Sequence, residues 1–218
     1  MDRDLAGRVS SDARAAVGCQ AFPYRALLAG LLIALLGVIL LAACQAYEFN
    51  GTEYPDPQPA SDFVLDDVSG GSFRLSDGRG KIFLLYFGYT SCPDVCPATL
   101  ATARLVFDSL GEDAERVAML FITVDPERDT PEVMSSYVSA FHPNIIGLTG
   151  SPETLEAVFE EYGIVAEREE LPESAVGYVM NHTTRLFLVD QEGRLRMSFG
   201  FGTPPEDVSQ DVQHLLKE

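Results

Sequence analysis

A chain of 218 residues has room for one globular domain of about 150–170 residues and an additional segment. Its 33 acidic side chains against 15 basic ones give a formal charge of −18. That balance excludes an electrostatic footprint for nucleic acid or anionic headgroups and favours cationic partners, metal ions and basic protein surfaces among them. No internal repeat or low-complexity tract is visible.

The additional segment is N-terminal. Residues 26–43 read ALLAGLLIALLGVILLAA, preceded by Arg3, Arg8, Arg14 and Arg25. A cationic flank, a long apolar core and small residues at its end describe an export signal, and the run is also close to the roughly 20 residues that span a bilayer. Leu41-Ala42-Ala43-Cys44 resembles a bacterial lipobox, in which cleavage precedes the cysteine and its thiol takes a lipid. The readings are lipidation at Cys44, an uncleaved anchor, or a buried helix. The first two make 1–43 a signal peptide or membrane anchor and leave the body tethered to the cell membrane on its extracytoplasmic side. Removing the four arginines and three aspartates of 1–43 leaves 11 basic against 30 acidic side chains.

Residues 44–60, with Pro55, Pro57 and Pro59, read as an extended tether. Globular patterning starts at Ser61, so 61–218 is the domain. Residues 62–68 and 72–75 flank Ser69-Gly70-Gly71 as an N-terminal hairpin. The run 81–88 (KIFLLYFG) is apolar on both faces and predicts a central strand. A helix follows over 97–110, a second buried strand over 117–124, and a helix over 130–141 with a Thr N-cap and Pro131 at its first position. Residues 145–148 predict a strand and 151–162 a helix. Residues 167–177 (EREELPESAVG) read as an exposed loop. A hairpin of 184–189 and 195–199 turns at Asp190-Gln191-Glu192-Gly193, and an amphipathic helix ends the chain near 216. Strands alternating with helices predict an α/β fold, a central mixed sheet with helices on both faces. The closing hairpin and helix make it thioredoxin-like.

Two thiols sit directly after the first central strand, in Cys92-Pro93-Asp94-Val95-Cys96. Cys19 belongs to the N-terminal segment and Cys44 to the lipobox, so Cys92 and Cys96 are the pair left for chemistry. Their loop is too short to staple a domain. Both precede a proline, which pushes them from helical geometry. The helix then starts at Pro97, Cys96 becomes its N-cap, and the helix dipole lowers the Cys96 pKa, with Asp94 opposing the shift. A low-pKa thiol pair suits disulfide exchange or a soft metal such as Cu(I) or zinc. A peroxidase would need a solitary attacking thiolate; Thr90 is near, but the second cysteine argues against it.

Three histidines are candidates for a further ligand. His142 before Pro143 reads as a helix stop, and His214 as a surface residue of the last helix. His182, in Met180-Asn181-His182-Thr183-Thr184, precedes a strand whose entrance faces the cysteines in a thioredoxin fold. Topology leaves it as either a ligand or a hydrogen-bonded loop histidine.

The segments 87–97 (FGYTSCPDVCP), 124–130 (VDPERDT) and His182-Thr183 together resemble the Sco/SenC family of membrane-tethered, thioredoxin-like copper chaperones for cytochrome c oxidase assembly. The resemblance implies copper, as Cu(I) or Cu(II), held by Cys92, Cys96 and His182. It implies delivery to the binuclear centre in the copper-bearing subunit of the oxidase, with other periplasmic copper carriers as further partners. The alternative is a thiol–disulfide oxidoreductase, with Cys92 and Cys96 as the catalytic redox pair reducing the cysteines of that centre. Asp125 and Asp129, in the second segment, position a loop, meet a partner or cap the following helix. One departure is Asn181, where the family commonly has Asp before the histidine; a neutral neighbour leaves the imidazole less basic.

Overall fold

The computed structural model describes residues 47–218 apart from 175, together with Tyr24, Leu28 and 30–32. The apolar run 26–43 lies almost entirely outside the described residues, and Cys44 lies wholly outside them. Among the described residues no helix is long and apolar enough to cross a membrane.

The domain from Glu48 onward is organised by two strands buried along their whole length, β4 (Ile82–Gly88) and β5 (Val117–Thr123). Both are continuous apolar runs because both of their faces are covered. They pair in parallel, and β5 pairs in parallel with β6 (Ile145–Thr149). On the other side of β4 stand β9 (Leu186–Val189) and β10 (Leu195–Phe199), all antiparallel. Beyond β6 lies the N-terminal hairpin of β2 (Val64–Asp67) and β3 (Ser72–Arg74). With β1 (Thr52–Glu53), the eight-stranded order is β1-β10-β9-β4-β5-β6-β2-β3.

Alternation along β4 places the helices. Tyr86 reaches Cys96 on α1 (Val95–Leu110), whereas the next residue, Phe87, packs its ring 5.9 Å from Phe159 on α3 (Pro152–Tyr162). Neighbouring strand residues point to opposite faces, so α1 and α3 cover opposite sides of the sheet. Helix α2 (Pro131–Ser139) joins α1, its Tyr137 lying 5.7 Å from Phe121, which pairs with Tyr86 across the ladder. Helix α4 (Pro205–Leu215) packs against α1. Thr130 and Ser151 cap α2 and α3 through their side chains, each with proline at the start, as read from the sequence.

Three predicted segments differ from the observed fold. The first is 47–60, which lies on the sheet rather than free of it. Thr52–Glu53 pairs with Met197 and Ser198 as an edge strand, and Pro59 bridges Arg194. The fully buried Asp211 carboxylate accepts from the Asn50 amide at 3.0 Å and the Gly51 amide at 2.8 Å. The second is 167–177, where β7 (Ala166–Leu171) pairs with β8 (Gly177–His182) as a separate two-stranded sheet. Its outward residues are charged on β7, so the strand has no apolar alternation to betray it. The third is the start of α1. Its first backbone bond runs from the Ala98 N–H to the Asp94 carbonyl, so Val95 and Cys96 are already helical. Pro97 falls within the first turn, where a missing N–H breaks no helical bond.

Replacing Asp211 with alanine leaves the Asn50 and Gly51 amides without their buried acceptor. The expected loss is about 1–3 kcal/mol, read by denaturant unfolding, with faster proteolysis around residue 52. Unchanged stability and unchanged cleavage would mean that the edge strand is held without this carboxylate.

Candidate metal centre

The cysteine loop closes over the end of β4. A Cβ added to Gly88 would meet the Cys96 Sγ at 3.0 Å and the Tyr86 and Phe121 rings at 2.8 and 3.0 Å, so glycine is what lets α1 approach. Cys96 is fully buried as the second residue of α1, and Cys92 is half-buried in the turn before it; both are free thiols. The Cys96 N–H, one of the unpaired amides of the helix start, donates to the Cys92 Sγ at 3.4 Å.

The contact between the two cysteines reverses the expected electrostatics. The Cys92 thiol is pushed down to about 3, first by the hydrogen bond from the Cys96 side chain, against burial, and then by His182 and the amides of Asp94 and Cys96. The Cys96 thiol is pushed up by the same bond to Cys92 and by burial. Tyr86 donates its hydroxyl to the Cys96 sulfur at 3.6 Å, and burial raises its own pKa. The pair therefore stands as a thiolate at Cys92 and a thiol at Cys96. The helix terminus does lower a thiol, as expected, but the recipient is Cys92. Asp94 takes part through its backbone N–H, in the opposite sense to its side chain's expected opposition.

His182 ends β8 and is carried to the pair from 86 residues away. Its Nδ1 lies 3.0 Å from the Thr183 carbonyl oxygen, which can only accept, so Nδ1 holds the proton. Its Nε2 faces the sulfurs, 3.5 Å from the Cys96 Sγ. The Tyr86 and Tyr89 rings stand edge-on to the imidazole at 6.2 and 5.7 Å. Ligand atoms of Cys92, Cys96 and His182 all lie within 4.8 Å of one another. Two sulfurs and one imidazole nitrogen suit a soft or borderline transition metal.

Asn181 points elsewhere: its amide donates to Glu169 at 2.8 Å, and the partner of the imidazole is Thr183. His142 stacks on Phe107 at 4.6 Å and accepts from the Asn144 amide, a structural role. His214 meets Phe49 edge-on at 5.4 Å.

Asp125 and Asp129 are 3% and 1% exposed, and their carboxylates face protein groups. Asp129 accepts from the Thr90 hydroxyl at 2.6 Å, the Thr90 amide at 3.2 Å and the Thr123 hydroxyl at 2.7 Å. Burial raises its pKa against these bonds. The cap of α2 is Thr130. Asp125 accepts from the Tyr178 hydroxyl at 2.8 Å and pairs with Arg128. Sequence reasoning placed Thr90 near the cysteines but missed Tyr86, Arg128 and Tyr178 as neighbours of the site. Arg128 was visible inside the VDPERDT segment, but Tyr178 lay beside the misread loop.

Known proteins resemble this chain over most of the domain. A family model described as SCO1/SenC matches residues 52–217. The chain is 33% identical over 147 residues to an SCO2-like protein of Rickettsia felis, covering 67% of this chain and 72% of that protein. It is 32% identical over 148 residues to the mitochondrial protein SCO1 of Saccharomyces cerevisiae, covering 67% of this chain and 50% of the yeast protein. The structure of Bradyrhizobium japonicum ScoI with copper bound matches with a TM-score of 0.67 at 36% identity, over 73% of this chain and 100% of that one. Apo Sco1 from Thermus thermophilus matches at 0.69 and 38% identity, over 78% and 98%. Since the match runs from the edge strand β1 through helix α4, the chain belongs to the SCO1/SenC family.

Proposed function

We propose that the chain is an extracytoplasmic copper metallochaperone, anchored through its N-terminal segment or a lipid on Cys44, that serves cytochrome c oxidase assembly. The observation that carries this reading is the convergence of the Cys92, Cys96 and His182 donor atoms within 4.8 Å. Relatives from Bradyrhizobium japonicum and yeast hold copper in their structures, and BsSco is described as a member of the Sco family of cytochrome c oxidase assembly proteins. The recipient is the copper-bearing subunit of the oxidase, with other periplasmic copper carriers as donors.

The residues divide the work. Cys92, half-buried and ionised, is the first donor available to an incoming ion. Cys96 supplies the second thiolate by releasing its proton, so loading is coupled to proton release. His182 offers Nε2, its Nδ1 being engaged by the Thr183 carbonyl. Two thiolates suit Cu(I), and the imidazole extends the site to Cu(II). Unloading reverses the order: a thiolate of the recipient displaces Cys92 first, because Cys96 is buried.

One observation favours a second reading, reduction of the recipient's cysteines. A depressed, accessible Cys92 beside a proton-bearing Cys96 is the arrangement of an attacking and a resolving thiol. The Cys92 thiolate would attack the recipient's disulfide, releasing one cysteine and forming a mixed disulfide. Cys96, once deprotonated, would attack the Cys92 sulfur and release the other. The recipient gains two electrons and this chain is left with a Cys92–Cys96 disulfide.

His182→Ala in the full chain separates the readings. Cu(II) affinity is expected to fall by about 10–100-fold, while Cu(I) binding and disulfide exchange persist, as followed by competition titration and exchange kinetics. Equal Cu(II) affinity in wild type and variant would remove the three-ligand site.

A pH series tests the sulfur assignment. With the Cys92 pKa depressed from 9.0 to about 3, the thiolate persists as pH falls from 8 to 5 and is lost only near the folded-state value. Iodoacetamide alkylation of the metal-free dithiol should therefore occur at Cys92 and change little over that range. An ordinary thiol would slow roughly tenfold per pH unit, and peptide mapping that showed such a decline, or labelling at Cys96 first, would overturn the assignment.

A further inference from the structure

The sheet does not hold His182 in place. Strands β7 and β8 form their own two-stranded sheet, with no ladder to the eight-stranded one. At its root the two strands of this arm are tied to each other by the Thr183 N–H to the Val165 carbonyl and by the Val165 N–H to the Thr183 hydroxyl, both at 3.0 Å. Farther out, besides the Arg168–Glu127 pair and the contact of His182 with Cys96, the ties to the body centre on Tyr178. Its hydroxyl donates to the buried Asp125 at 2.8 Å, and its carbonyl accepts from the Arg128 Nη1 at 3.0 Å. Arg128 also donates through Nε to Asp125, closing a ring of three residues. The Arg128 and Arg168 guanidiniums each lie 3.6 Å from the centre of the Tyr178 ring, and Arg128 lies 5.6 Å from that of Tyr89, in the turn before Cys92.

Resting on the three-ligand reading above, we propose that Arg128 and Tyr178 are positioning residues: with Asp125 they clasp the β7–β8 arm to the body and so hold His182 over the cysteine pair. Arg128 suits this role because its planar fork serves Asp125 and the Tyr178 carbonyl together while its face stacks on the rings. A lysine offers one point charge in place of that fork. The tie of Arg168 to Glu127 at 3.0 Å is exposed on both sides and contributes little. The contacts with Asp125 dominate because this carboxylate is buried and needs its partners. Among the described residues, Arg128 Nη2 is a buried nitrogen without a hydrogen-bond partner, so the guanidinium is held by its other two nitrogens and by the rings.

The test compares wild type, Tyr178→Phe, Arg128→Met, Arg128→Lys and His182→Ala as full chains loaded with Cu(II) or Cu(I). Electron paramagnetic resonance reads the imidazole nitrogen coupling to Cu(II), and stopped-flow chelation reads Cu(II) release. In Tyr178→Phe and Arg128→Met, release should quicken by about tenfold and the nitrogen coupling should weaken or split into several species. Arg128→Lys should recover part of both. Cu(I) affinity and Cys92 alkylation should stay within about twofold of wild type, which a general loss of structure would not allow.

If His182→Ala loses the nitrogen coupling but Tyr178→Phe and Arg128→Met keep wild-type coupling and release, the clasp is wrong and the three-ligand site stands. If His182→Ala behaves as wild type, the three-ligand reading itself fails. A parallel fall in Cu(I) affinity for the clasp variants also overturns the proposal. Should Arg128→Met not fold, Tyr178→Phe, which removes a single hydroxyl, decides alone.

Discussion

Two carboxylates buried just beyond the end of β5 organise the region around the sulfurs. A carboxylate out of water costs several kcal/mol unless hydrogen bonds and opposite charge compensate it, so Asp125 and Asp129 dictate what must lie next to them. Their partners come from opposite directions. Asp129 takes the amide and hydroxyl of Thr90, two residues before Cys92, while Asp125 takes the hydroxyl of Tyr178, four residues before His182. A stretch of five residues thus fixes the approach of the cysteine turn on one side and of the β7–β8 arm on the other. The energetic demand of charge burial is met only when both halves of the site are in place.

The spacing of the two cysteines has a related logic. In a helix the N–H of a residue seeks the carbonyl four positions earlier. Cys92 stands four positions before Cys96, and at the start of α1 its sulfur occupies the place such an acceptor would take, 3.4 Å from the Cys96 N–H. Three intervening residues therefore give the outer sulfur a helical amide, while the inner sulfur turns into the core beneath Tyr86. The asymmetry of the pair, Cys92 shifted down and Cys96 up, follows first from the hydrogen bond between the two side chains and then from the burial of Cys96, with the amide adding to it. Asp94 does not have to be neutralised for it to arise.

Much of this was legible in the chain. The continuous apolar runs of β4 and β5 announce strands covered on both faces, and the Thr-Pro and Ser-Pro openings of α2 and α3 announce helices. A thiol pair after a central strand and one histidine before a late strand mark the three side chains that the fold brings together. What escaped reading shares a physical cause. The sequence of β7 (AEREEL) has charged side chains at four of its six positions, so its pairing rests on backbone bonds and cross-strand polar contacts that leave no hydrophobic period. Edge strand β1 is two residues long and is held by Asp211, 160 positions away. The contacts of Arg128 and Tyr178 likewise span 50 residues. Local pattern records what a segment buries of itself, and it is silent about a carboxylate elsewhere that needs a donor.

The two kinds of donor respond to different events. Bringing Cys96 into service requires a proton to leave a fully buried sulfur, so that step answers to pH and to the charge of whatever arrives. The carbonyl that meets the His182 Nδ1 belongs to the next residue, so the imidazole carries its own orienting partner on the arm. The sulfurs stand on the turn and helix that follow β4, and the imidazole on the separate β7–β8 sheet, so the two halves of the site are placed by different elements.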